Sequence, residues 1–224
     1  MRKHPPGISD VQKTWTIMRK HPPGISDVQK TWTIMRKHPP GISDVQKTWT
    51  IMRKEGFYMT IDELIAMLEM QEEILQFSHF TNEDAWELGR LIVSEAKKRE
   101  LRISVSIRLN NDLVVFQYAS DGTTLQSENW IRRKQNIVKY LERSSLHTCM
   151  LLRKREETFA DWGLNQGEYA ACGGGFPIRV EEVGVIGSIL ISGIDHVSDH
   201  DLIVKCLSRY LHIDEVPRIR GGIL

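Results

Sequence analysis

From Thr60 onward the apolar positions fall at helical spacing. Leu64, Ile65, Leu68, Ile74 and Leu75 form one stripe, and Thr60 with Glu63 three residues later has the form of a capping box, which predicts a helix over 61–75. A second helix follows, capped by Thr81 or Asn82, with Ala85, Leu88, Ile92, Val93 and Ala96 on one face and Lys97, Lys98 and Arg99 at its C-terminal, dipole-favoured end. The period then changes from 3.6 to 2. Ile103, Val105 and Ile107 alternate with Ser104, Ser106 and Arg108, Asn110-Asn111 signals a turn, and 113–118 runs back as a second strand. A polar loop over 120–128 leads to a long helix predicted from Asn129 to about Leu146, packed through Trp130, Ile131, Ile137, Val138 and Leu141. After a short apolar run at 150–152 and a helical turn at 158–162, residues 172–193 read as a β-hairpin entered through Gly173, Gly174 and Gly175. Its second arm, with Val183, Val185, Ile186, Ile189, Leu190 and Ile191, is apolar on both faces and so is expected to be a central strand. Pro177 stands where a strand begins and no ladder N–H is needed. A helix from Asp199 to Leu211 closes the pattern, and the segment 212–224 with Pro217 and Gly221-Gly222 is expected to fray. The order of elements predicts an α+β domain, an antiparallel sheet covered by helices.

Ahead of this domain, residues 1–17, 18–34 and 35–51 are three identical copies of one 17-residue unit, followed by a junction over 52–58. The period matches no common solenoid, and each unit carries Pro-Pro-Gly, which breaks helix and strand alike, so a flexible or loosely ordered extension is expected rather than a packed arm. The alternative is a trivalent protein-binding tail that uses Trp15, Trp32 and Trp49 beside basic residues. The repeats also hide the charge of the domain. The chain as a whole has net charge +1, whereas from Met52 onward 21 basic residues face 26 acidic ones. An acidic body without a basic stripe argues against nucleic acid as the main partner. The sequence has no run of about 18 apolar residues and no apolar signal-peptide core, so a cytoplasmic protein without a membrane span is expected.

Candidate chemistry is sparse. Cys149, Cys172 and Cys206 are odd in number and lack CxxC spacing, which predicts buried reduced thiols rather than a disulfide scaffold or a zinc site, and the histidines show no metal spacing. Arg132, Arg133 and Lys134 fall in the first turns of the predicted 129–146 helix, where cations oppose the macrodipole. They are either a solvated face with ion pairs to Glu128 and nearby acids, or a site for an anion or carboxylate. His200 beside Asp199 is either a helix-start capping pair or a catalytic dyad. No nucleophile has a base and an orienting partner at motif spacing, so catalytic residues are not assigned.

Four ordered motifs carry a resemblance: Trp130-Ile-Arg-Arg-Lys134, Gly173-Gly-Gly-Phe-Pro-Ile178, Gly184-Val-Ile-Gly-Ser188 through Ser192-Gly193, and Asp199-His200. Together, over 59–211, they resemble the heme-degrading-domain-like superfamily of the HbpS, GlcG and PduO C-terminal domains, in particular its small uncharacterised branch. The resemblance implies a profilin-like layered fold, assembly into dimers or larger rings, and in some relatives binding of heme or a related tetrapyrrole. It places a ligand at Trp130, Arg132, Arg133, Lys134, Gly173, Gly174, Gly175, Phe176 and His200, with a cation holding a carboxylate and the glycine loop as floor. Relatives often carry histidine where this chain has Cys172 and Arg143, and His147 is no obvious replacement, so at those positions the axial donor on offer is the Cys172 thiolate. Self-association is expected also from the apolar segment 213–216, and a protein-interaction scaffold without ligand chemistry is the alternative function.

Overall fold

The computed structural model describes residues 59–219; the repeats and the junction lie outside them. Among the described residues, five helices longer than one turn surround one four-stranded antiparallel sheet, so the domain is α+β as the residue pattern predicts. Helix α1 spans Ile61–Ile74, and the capping box is complete: Thr60 Oγ1 accepts from the Glu63 amide at 3.3 Å while Glu63 accepts from the Thr60 amide at 2.8 Å. Helix α2, Asn82–Lys98, begins with a second box between Thr81 and Asp84. Strands β1 (Ser104–Leu109) and β2 (Val114–Ala119) form the expected hairpin.

The long helix departs from expectation. It is two helices, α3 over Leu125–Leu141 and α4 over Ser145–Arg155. Thr124 caps α3, so the helix starts four residues ahead of the expected Asn129, and Glu142 ends it in a left-handed conformation at φ 54°. Ser144 then caps α4 by accepting from the His147 amide at 3.2 Å. The short apolar run at 150–152 therefore belongs to a helix. Arg132, Arg133 and Lys134 sit in the third turn of α3, so they carry no dipole penalty.

Strands β3 (Gly175–Val180) and β4 (Gly184–Ser192) complete the sheet in the order β2-β1-β4-β3, with β4 central as expected. One face carries Val105, Ile107, Phe176, Ile178, Ile189 and Ile191 in a single core with Leu88 and Ile92 of α2 and Leu202 and Ile203 of the last helix. The last helix, α5, spans His196–Tyr210. Helix α3 covers the opposite face, and α1 packs on α4 through Leu64, Leu68, Leu146 and Met150.

Asp195, not Asp199, caps α5 by accepting from the amides of Val197 and Ser198 at 3.2 and 3.0 Å. The capping reading of Asp199-His200 is thereby corrected: both lie inside the helix. The segment after His212 does not fray through Ile219. Val216 is buried in the main core, Gln71 donates to the carbonyl of Pro217 at 2.6 Å, and Arg218 pairs with Asp201. The apolar segment 213–216 is therefore used inside the domain and gives no reason for self-association. No described helix is long and apolar enough to cross a membrane.

Because the caps and both cores fall within 59–219, a chain beginning at Met59 is expected to unfold in one cooperative transition, measured by thermal melting against the full chain. Loss of that transition on truncation would make the repeats part of the core.

Candidate functional site

Helix α3 turns Trp130 and Lys134, four residues apart and so one above the other, toward the C-terminal end of β4 and the start of α5. There they meet Cys172, Ser192, Ile194, His196 and Asp199 around a cleft of about 370 Å³, with Cys149 of α4 on its rim. The floor is an ion pair. Lys134 Nζ donates to Asp199 Oδ2 at 3.0 Å and to the carbonyl of Ile191 at 2.7 Å, with the two side chains 3 % and 2 % exposed. Burial pushes the Asp199 carboxyl up to about 6, although the Lys134 ammonium and its hydrogen bond pull it down. Removing a carboxylate from water outweighs its attraction to one buried cation.

The glycine loop is fitted to this pair. Gly174 has φ +105°, and a Cβ there would lie 2.4 Å from the Ile191 carbonyl oxygen and 2.6 Å from Lys134 Nζ. At Gly173 a Cβ would fall 1.7 Å from the carbonyl oxygen of His196. Gly175 donates to Ser145 Oγ at 2.9 Å, and the same hydroxyl donates to the Cys172 carbonyl. The three glycines thus serve close packing of backbone on α3, α4 and α5.

Other residues read from the sequence fall elsewhere. Phe176 is fully buried in the main core, its ring 5.8 Å from that of His200, on the sheet face away from Lys134. His200 is 1 % exposed and bonds Gln71 Oε1 through Nε2 at 2.8 Å, and burial lowers it to about 4. It is a neutral core histidine. Arg133 stacks 4.5 Å from the Trp130 ring centroid and donates to the carbonyls of Gln166 and Tyr169, so it clamps a loop. Arg132 is exposed and donates to Asn129. Glu128 pairs with Arg108 of β1 at 2.6 Å rather than with either arginine of its own helix. His147 lies against Glu72 at 3.1 Å between α1 and α4, away from the cleft. Burial raises Glu72, but the bonds from His147 and Ser144 hold it below its ordinary value.

Of the candidates, then, Trp130, Lys134 and the Cys172-glycine segment come together at the cleft. Sequence reasoning missed Cys149, His196 and the pairing of Asp199. His196 has a buried Nδ1 with no hydrogen-bond partner among the described residues. The one sequence signal for Cys149 is its spacing of four from Ser145 on one helix.

A four-stranded antiparallel sheet between helical layers, with a glycine loop sealing a charged pair beneath a cleft, makes this an α+β domain with one built cleft among the described residues. The chain belongs to the family described as "Haem degrading protein HbpS-like", which its residues 80–208 match. It is 35 % identical over 154 residues to a UPF0303 protein of Yersinia pseudotuberculosis (strain YPIII), an alignment spanning 68 % of this chain and 90 % of the relative. Among solved structures it is similar to the Ybr137w protein, with TM-score 0.62, 25 % identity and coverage of 69 % of this chain and 90 % of that one. A PduOC:heme complex shares the fold, with TM-score 0.51, 18 % identity and coverage of 62 % and 99 %.

The buried floor makes stability sensitive to both partners and to pH. Asp199→Ala leaves Lys134 buried without its anion and is expected to cost about 3–5 kcal/mol, whereas Lys134→Met with Asp199→Leu together should cost far less than the sum of the single changes, as read by denaturant unfolding. The folded carboxyl of Asp199 stands above its unfolded value, so its contribution is fully present below pH ~4 and lost as pH rises through about 6. Between pH 7.5 and 5.5 the Asp199 share therefore grows by roughly 1 kcal/mol, while His200, held below its unfolded value, loses stability over the same window, so the parent is expected to weaken on acidification and Asp199→Asn, which lacks the offsetting gain, to weaken more steeply.

Proposed function

We propose that the protein binds a small molecule, haem or a related tetrapyrrole, at the cleft between α3, the glycine loop and the start of α5. Membership of the HbpS-like family supports the ligand class, and the observation that carries the site is the buried, unpartnered Nδ1 of His196 beside an open aromatic wall at Trp130. The donors fit such a group. His196 and Cys172 are nitrogen and sulfur donors in one cleft, and Trp130, 36 % exposed, lines it with an aromatic ring. A volume of about 370 Å³ is at the small end of ligand pockets and takes one edge of a macrocycle rather than its whole plane. When bound, haem would supply an iron centre for redox or oxygen chemistry; the chain itself orients the ring and fixes its edge. Lys134 is committed to Asp199, and Arg132, two positions from both Trp130 and Lys134 on the helix, faces away from the cleft, so neither serves for carboxylate recognition.

The test is titration of the protein with haem followed by absorbance. Saturable binding with a Soret shift is expected, with Trp130→Ala weakening it roughly fivefold and His196→Ala changing the shift itself. A shift unchanged in His196→Ala but lost in Cys172→Ala would transfer ligation to the thiolate. Absence of saturable binding would remove haem and favour the second reading, an interaction scaffold. That reading draws on β2, an edge strand without charge or proline whose Val114, together with Leu113 before it, is more than 40 % exposed.

A further inference from the structure

The three cysteines divide by access. Cys206 is 1 % exposed on α5 and burial pushes its thiol up to about 12, so it is closed to reagents. Cys149 and Cys172 are half-buried, and both line the cleft. Backbone contacts bring them to one place. Ser145, at the start of α4, holds the Cys172 carbonyl with its hydroxyl and accepts the Gly175 amide at 2.9 Å. Cys149 stands one turn further along the same face of α4, where such neighbours are about 5–6 Å apart. A disulfide needs Cα atoms within about 7 Å, and Cys172 is held at one end of the helical turn whose other end carries Cys149, with both thiols lining the same cleft.

We propose that Cys149 and Cys172 form a reversible intramolecular disulfide across the cleft, with a small disulfide such as oxidised glutathione as the oxidant. The proposal goes beyond the binding reading and does not rest on it. Cys172 reacts first: burial raises its thiol and Asp199 adds to this, but Lys134 and Arg133 pull it down, whereas Cys149 is raised by burial and by Cys172 with only Arg153 opposing. The Cys172 thiolate attacks one sulfur of the oxidant and expels one glutathione thiolate. Cys149, deprotonated in turn, attacks the Cys172 sulfur of the mixed disulfide and expels the second. Two electrons pass to the oxidant, and the two thiol protons end on two molecules of glutathione. The bridge would join α4 to the glycine loop and narrow the cleft mouth.

The experiment treats the full, reduced chain with oxidised glutathione at pH 7 to 9, quenches with an alkylating agent and maps peptides by mass spectrometry. The expected result is a linked Cys149–Cys172 peptide, a fall from three free thiols to one, and a rate that climbs about tenfold per pH step because both reacting thiols are raised. Cys149→Ser should stop at a stable glutathione adduct on Cys172, and dithiothreitol should restore all thiols in the parent. Separate glutathione adducts on both cysteines, a bridge between two chains, or no reaction of either thiol at pH 9 would each overturn the proposal.

Discussion

Three elements and a loop converge on the Lys134–Asp199 pair. Lys134 comes from α3, Asp199 from α5, and the third partner is the carbonyl of Ile191 on the central strand, whose amide in turn donates to the Gly174 carbonyl at 2.7 Å. A buried pair is a weak source of net stability, because desolvation of both ions offsets most of their attraction. Its effect is geometric. Each charge is tolerable only while the other is in place, so α3 and α5 are held on either side of β4 in one arrangement, and the loop crossing above them has room for hydrogen atoms alone at positions 173 and 174. The cleft is the space left over where this packing ends.

Much of the fold was legible because local chemistry and tertiary packing agree. The Thr60–Glu63 box, the alternation at 103–108 and the apolar run of β4 each specify an element that the structure builds. The break between α3 and α4 was not legible. Its signal is a pair of serines after a glutamate in left-handed conformation, and glycine, the usual marker of such a stop, is missing. The same applies to α5, where Asp195 and Asp199 are equally good caps by type and only the amides of Val197 and Ser198 meeting Asp195 decide between them.

The site divides in the same way. Trp130, Lys134 and Cys172 were found because they lie in short motifs with unusual composition. Phe176 and His200 were drawn in by sequence adjacency, which misleads in both kinds of element. Phe176 follows Gly175 on a strand and so faces the opposite side of the sheet, and His200 follows Asp199 on a helix and so points about 100° away, into the core. The partnership of residues 134 and 199 depends on a contact across 65 positions, and His196 joins them only through the folded cleft, neither of which any periodicity reports.

The two faces of the sheet differ in kind. Toward α2 and α5 the strands present Val105, Ile107, Ile189 and Ile191, whereas toward α3 the paired positions are Ser104 with Ser192, Ser106 with Leu190 and Arg108 with Ser188. Arg108 there donates to Ser106, Gln135 and Glu128. Exposure of apolar surface raises heat capacity and exposure of polar surface lowers it. Per unit of area uncovered, lifting α3 from the sheet therefore changes heat capacity less than separating the α2–α5 layer, and the hold of α3 weakens less on cooling. The cleft lies where the two layers meet, so on cooling its α3 wall keeps more of its grip per unit area than its α5 wall.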